Sequence, residues 1–226
     1  MVEPGILDRF EGRFGYRFHD RDFLRHALTH ASTGGDRDYE RLEFLGDRVL
    51  GLVVAHLLYT EFPGESEGSL ARRHAALVSG VTLAAIAGQI GLGDVMHLSE
   101  GERAAGGAKN DNILADVMEA LIGAAYLDGG LEPCQTLIAG LWKDTLHIMI
   151  QPPQDPKTAL QEWAQARGLG LPEYVLEGRD GPDHAPSFRI SVRIAGFDPA
   201  SGEGPSRRAA EKIAAVHLMN MIGIPE

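Results

Sequence analysis

Glu40-Arg-Leu-Glu43-Phe-Leu-Gly-Asp47-Arg-Val-Leu50 is the stretch on which the fold of this 226-residue chain turns. Leu42, Leu45, Val49, Leu52, Val53 and His56 recur at three- and four-residue spacing. That spacing predicts one helix from about Arg37 to Tyr59, ended by Pro63-Gly64. Each helical residue advances about 100°, so Glu40 and Asp47 fall within about 20° of each other and Glu43 about 60° away. Three carboxylates therefore share one face, and Leu42, Leu45 and Val49 take another. Like charges at this spacing repel. A second pair, Asp116 and Glu119, lies at i, i+3 inside the apolar run Ile113-Leu-Ala-Asp-Val-Met-Glu-Ala-Leu-Ile-Gly123. Acids in such a run must be paired, protonated or bound to metal.

The flanking sequence reads as helix too. Leu70 to Val78, Leu83 to Ile90, Ile113 to Leu127 and Leu131 to Met149 keep the helical period, with Gly91, Gly106-Gly107 and Gly129-Gly130 between them. Two-residue alternation is absent, so residues 1–150 are expected to form an all-α domain. Gln151-Pro-Pro-Gln-Asp-Pro156 disfavours helix and sheet alike and reads as a linker, 151–156. Beyond it the pattern changes. Asp155-Pro156 suits a helix start, and Leu160, Trp163 and Ala164 give that helix a short buried stripe. Phe188, Ile190, Val192 and Ile194 alternate with polar residues as in a half-buried strand. Tyr174 to Arg179 and Phe197 to Glu203 can flank it. Ser206 then opens a helix with Ala210, Ile213, Ala214, His217, Leu218 and Met221 on its less polar face. Residues 157–226 thus read as a small α+β domain of order α-β-β-β-α.

Composition bounds the rest. With 44 % hydrophobic and 23 % charged residues the chain is of ordinary globular type. The single Cys134 excludes an internal disulfide framework and a multi-cysteine zinc site, and a reduced, cytoplasmic setting is expected. The N-terminus does not read as a signal peptide. The longest apolar run, Val49 to Tyr59, is too short for a bilayer, so no membrane role is expected. Net charge is −11. Residues 1–154 carry 13 Lys/Arg against 22 Asp/Glu, net −9, so the acidity sits mainly before the second domain. An acidic region can still meet a polyanion when cations lie between them.

An acid taken singly is most often a solvating group on an exposed helix face. If the helices bearing Glu43, Asp47, Asp116 and Glu119 pack side by side, the acids can converge into an all-oxygen site for hard divalent cations. Such ions can activate a water and stabilise the leaving oxygen in an in-line phosphoryl transfer. A di-iron carboxylate bundle also uses acids on facing helices, but it carries Glu-x-x-His pairs, and none occurs here.

The segment Glu40 to Leu50 resembles the hallmark segment of bacterial ribonuclease III. Leu28-Thr-His-Ala-Ser32 and Ile113 to Gly123 resemble two further segments of that family, and residues 155–223 resemble a double-stranded-RNA-binding domain. The resemblance spans nearly the whole chain, in the family's order. It implies a Mg²⁺-dependent endoribonuclease acting on duplex RNA, with Mn²⁺ a possible substitute. It implies Asp47 and Glu119 as principal catalytic carboxylates, Glu43 and Asp116 as further metal ligands, and Glu40 and Glu67 as acids near the scissile RNA. It also implies a homodimer in which Phe44 plugs a pocket on the partner. Products with 5′-phosphates, 3′-hydroxyls and two-nucleotide 3′ overhangs follow, from ribosomal-RNA precursors and messenger RNA. A non-cleaving duplex-RNA-binding regulator is the alternative, and the retained acids argue against it.

Duplex RNA offers minor-groove 2′-hydroxyls and phosphates to a reader, because its major groove is deep and narrow. Thr158, Gln161 and Glu162 on the first helix, His184 in the loop 181–186, and Ser206, Arg207 and Arg208 at the last helix are the contact candidates. Departures from the family pattern are Arg48 after Asp47, where a cation can crowd the acids, Ala71, Pro205 and Ala209. Together with Glu203 and Glu211, the last two predict modest, sequence-tolerant RNA affinity. Of nine histidines, His30 and His74 fall near the matched segments; a histidine general base is conceivable, but structural or surface roles are expected, since a metal-water mechanism needs none.

Overall fold

The computed structural model describes residues 4–35, 37–149, 155–182 and 185–224. They fall into two units, Met1–Pro153 and Gln154–Glu226. The first holds α1 (Pro4–Phe14), α2 (Arg21–Ala27), α3 (Glu40–Glu61), α4 (Glu67–Leu77), α5 (Gly80–Gln89), α6 (Glu100–Ala104), α7 (Asp111–Gly129) and α8 (Leu131–Ile148). Among its described residues the only extended pairing is an isolated parallel bridge between Thr29 and His97. Several helices begin up to three residues before the hydrophobic period does, because caps set their starts. Ser66 accepts the Ser69 N–H and starts α4 at Glu67, and Asn110 accepts the N–H groups of Asn112 and Ile113 to start α7. The spacing had not marked α1, α2 and α6. In α1 the signal is aromatic: Phe10 and Phe14 are fully buried and stack in series with Phe18.

The centre of this unit is the crossing of α3 and α7, where Gly46 meets Gly123. A Cβ on Gly46 would lie 1.8 Å from the Glu119 carbonyl oxygen, and one on Gly123 would lie 2.2 Å from that of Leu42. Only glycine lets two helix backbones approach this closely. Leu42, Val49, Leu50 and Val53 of α3 then bury against Leu114, Val117, Met118 and Leu121 of α7. Trp142 of α8 closes the core from another side, its indole N–H donating to the Leu77 carbonyl at 2.8 Å.

The second unit runs α9 (Pro156–Ala166), β1 (Glu173–Asp180), β2 (Ser187–Arg193), β3 (Ala200–Gly204) and α10 (Arg207–Met221). Its sheet is antiparallel in the order β1-β2-β3. Pro156, assigned above to the linker, is the first residue of α9, with Asp155 accepting the Lys157 N–H at 3.0 Å. Residues 151–154 lie outside the described residues.

Three further details of the second unit differ from the sequence reading. The third strand starts at Ala200, not Phe197. Gly196 turns the chain at φ +85°, Phe197 bonds back to the Ile194 carbonyl, and its ring packs edge-on against Trp163 of α9. The buried face of α10 is Ala210, Ala214, Ala215, Leu218 and Met219, while Ile213, His217 and Met221 are exposed, because that face serves both the sheet and α9. Ser191, expected to face solvent, is buried on the centre strand between two paired neighbours.

Candidate active site and RNA-binding surface

The Gly46–Gly123 crossing places the α3 acids beside the α7 acids. Glu43, Asp116 and Glu119 are all partly buried. Burial, with the neighbouring charges of Asp116 and Glu40, pushes the Glu43 carboxyl above its ordinary range. Burial also raises Asp116, against the opposing pull of the Tyr39 hydroxyl and His30. Glu119 is pushed up to about 7, first by burial and then by Glu43 and Asp116, with Arg48 opposing. Burial raises all three carboxyls, Asp116 further raises Glu43, and both raise Glu119, which is the electrostatic situation a divalent cation relieves.

The other predicted acids are placed differently. Glu40 is exposed at the start of α3, near enough for its charge to act on Glu43. Asp47 is half-exposed and its carboxylate pairs with the neighbouring Arg48 guanidinium. Glu67 lies exposed in the first turn of α4, and among the described residues no hydrogen bond or ion pair joins it to the other acids. Among the described residues no three acid, histidine or cysteine side chains already converge on an ion-sized point. The all-oxygen donor set of Glu43, Asp116 and Glu119 nevertheless fits a hard divalent ion, and Asp47 lies one turn along α3 from Glu43.

Two further groups, Tyr39 and His30, border the acids. Tyr39 is buried just before α3, near enough to Asp116 for its hydroxyl to oppose the upward push on that carboxyl. Its backbone N–H bonds the Thr29 carbonyl at 3.0 Å, and His30 in turn bonds the His97 carbonyl. The segment Leu28 to Ser32 therefore serves to seat Tyr39 beside the acids. His30 accepts the Ser32 N–H on Nδ1 and packs its ring 5.5 Å from that of Tyr39. The only sequence signal for Tyr39 was an aromatic immediately before an acidic helix. His74 is structural as expected, with its Nε2 at 2.9 Å from the Gly51 carbonyl.

Phe44 points outward from α3 and is 67 % exposed. It borders a cleft of about 680 Å³ whose apolar lining includes Phe23, Leu42, Leu45 and Leu127.

In the second unit Thr158 and Gln161 are exposed on one face of α9, and Glu162 is exposed beside them. His184 lies outside the described residues. Ser206 caps α10, accepting the Ala209 N–H at 3.2 Å, and Arg207 and Arg208 follow it, exposed. Three further cations are matched internally: Lys157 with Glu211, Lys212 with Asp155, and Arg189 with Glu203.

The family model described as Ribonuclease-III-like matches residues 20–144, and that of the double-stranded RNA binding motif matches 156–222. Ribonuclease 3 of Azorhizobium caulinodans is 47 % identical over 99 % of this chain and 97 % of its own. That of Caulobacter vibrioides is 49 % identical over the same shares. The crystal structure of the ribonuclease III nuclease domain from Campylobacter jejuni superposes with a TM-score of 0.59 at 40 % identity, over 62 % of this chain and 95 % of that one. A second structure of that domain, described as showing structural flexibility in a region involved in dimer formation, gives a TM-score of 0.60, again at 40 % identity, over 61 % and 96 %. No helix among the described residues is long and apolar enough to cross a membrane. The chain belongs to the ribonuclease III family and is an endoribonuclease of that type, its helical nuclease domain followed by a double-stranded-RNA-binding domain.

Proposed function

We propose that this chain hydrolyses phosphodiester bonds in double-stranded RNA with Mg²⁺, replaceable by Mn²⁺, held by Glu43, Asp47, Asp116 and Glu119. The observation that carries this reading is the α3–α7 crossing, where Glu43 meets Asp116 and Glu119 and their crowded charges call for a cation. When bound, the ion supplies water activation and charge stabilisation for in-line phosphoryl transfer. The chain's own residues do the positioning. The Tyr39 hydroxyl orients Asp116, and Glu119 gives up its proton before it can serve. Glu40 and Glu67 stand at the rim toward the RNA strand.

The second domain holds the duplex. Thr158, Gln161, Glu162 and His184 suit minor-groove hydroxyls, while Ser206, Arg207, Arg208 and the α10 N-terminus suit phosphates. Two copies of the chain act together, with Phe44 of each entering the partner's apolar cleft. The Campylobacter domain's dimer-forming region supports this pairing. Two sites then cut both strands, leaving 5′-phosphates, 3′-hydroxyls and two-nucleotide 3′ overhangs. Ribosomal-RNA precursors and messenger RNA in the cytoplasm are the substrates this reading implies.

Labelled perfect duplex, incubated with Mg²⁺ and then with EDTA, tests the reaction, and mapping of product ends tests its chemistry. Glu119→Gln and Asp47→Asn are each expected to abolish cleavage while gel-shift affinity for the duplex survives. Equal loss of binding and cleavage would count against this division of roles.

A further inference from the structure

Arg48 stands where two features of α3 meet. Its guanidinium pairs with the Asp47 carboxylate and also lies over the Phe44 ring, 5.0 Å from the centroid. Phe44 and Arg48 are four residues apart, so helix geometry stacks one above the other. The ring thereby gives the guanidinium a resting place, and the carboxylate gives it a counter-charge. The positive charge is also felt deeper in the site, where it opposes the upward push on Glu119.

We propose that Arg48 is a positioning residue that competes with the divalent ion for Asp47. The guanidinium stands against a carboxylate oxygen that an ion would use, and a cation left beside a divalent ion is repelled. Asp47 joins Glu43, Asp116 and Glu119 when the guanidinium swings off it. The pair is half-exposed, with side chains 64 % and 40 % accessible, so solvent screens it and the competition is modest. The consequence is a metal requirement set higher than the acids alone would impose. This inference rests on the reading that the acids hold an ion.

The test is Mn²⁺ binding to the full chain without RNA, followed by titration calorimetry and by the electron paramagnetic resonance signal of free Mn²⁺. Arg48→Ser is expected to tighten Mn²⁺ by about two- to fivefold, the range of a screened ion pair. Arg48→Lys keeps the charge and should stay near wild type. Arg41→Ser removes a different exposed cation from α3 and should tighten Mn²⁺ less than Arg48→Ser. Circular dichroism verifies that each variant remains helical. Unchanged or weaker Mn²⁺ binding by a folded Arg48→Ser protein overturns the proposal. So does a gain of equal size in Arg41→Ser, which would be a general charge effect. A different result marks failure of the underlying reading: wild type and Glu119→Gln binding Mn²⁺ equally. In that case the acids hold no ion, and the role of Arg48 falls with them.

Discussion

Glu119 is the carboxyl side chain at which burial and neighbouring charge act most strongly in this site. Its carboxyl is pushed up to about 7 by burial and by Glu43 and Asp116, so the folded, ion-free chain keeps a proton that the unfolded chain releases in the ordinary glutamate range. A raised carboxyl pKa contributes stability that is fully present below that ordinary range and is lost as pH rises through about 7. Urea denaturation of the EDTA-treated chain is therefore expected to show a lower midpoint at pH 8 than at pH 5. Glu119→Gln, which cannot charge, should raise the midpoint at pH 8 and flatten the difference. A midpoint that climbs between pH 5 and 8 in wild type, unaltered by the substitution, would refute this account. The same proton competes with a divalent ion, so the side chain that destabilises the empty site is the one that favours its filling.

At the scale of elements, the α3–α7 crossing links core packing to chemistry. Gly46 lies between Glu43 and Asp47, and Gly123 lies one turn beyond Glu119. Helices held apart by even one methyl would carry the two sets of acids apart as well. Gly46→Ala is expected to cost about 1–3 kcal/mol, the range of an overpacked core. It should also lower single-turnover cleavage of duplex RNA under conditions where the variant remains folded. Gly12→Ala, at an exposed α1 site where a Cβ meets nothing within 4 Å, is the control and should stabilise by about 0.5–1 kcal/mol through helix propensity. If Gly46→Ala proves as mild as Gly12→Ala, the two helices do not depend on this close approach.

At the scale of the whole molecule, two units with separate hydrophobic cores divide the work. The net charge of −11 argues against RNA binding only when averaged over both. In the second unit, ion pairs occupy Lys157, Lys212 and Arg189, leaving Arg207 and Arg208 among the exposed cations at the capped end of α10. Replacing both by alanine is expected to weaken duplex binding equally across sequences and to reduce the slope of log affinity against log salt by about two. An unchanged slope would place the phosphate contacts elsewhere. The apolar face around Phe44 belongs to the same scale. Phe44→Asp is expected to convert the proposed dimer to a monomer in sedimentation equilibrium, and a dimer that persists would locate the interface on another surface.

The helical period of Leu42 to His56, the acids embedded in Ile113 to Gly123 and the alternation around Ile190 determined by themselves that an acidic helical domain precedes a small α+β domain. They did so because burial imposes its period on any sequence that folds. Three-residue spacing also put Asp116 and Glu119 near a common face. The sequence could not place Glu43 against them, because that depends on Gly46 and Gly123 meeting across nearly 80 residues, and a glycine looks the same in a turn as at a helix crossing. Nor could it show Tyr39 buried near Asp116, the Phe197 ring leaving the sheet for Trp163, or Arg48 paired with Asp47. Each of these is settled by which rotamer or turn the packed neighbours leave room for, and that information exists only once the chain has folded.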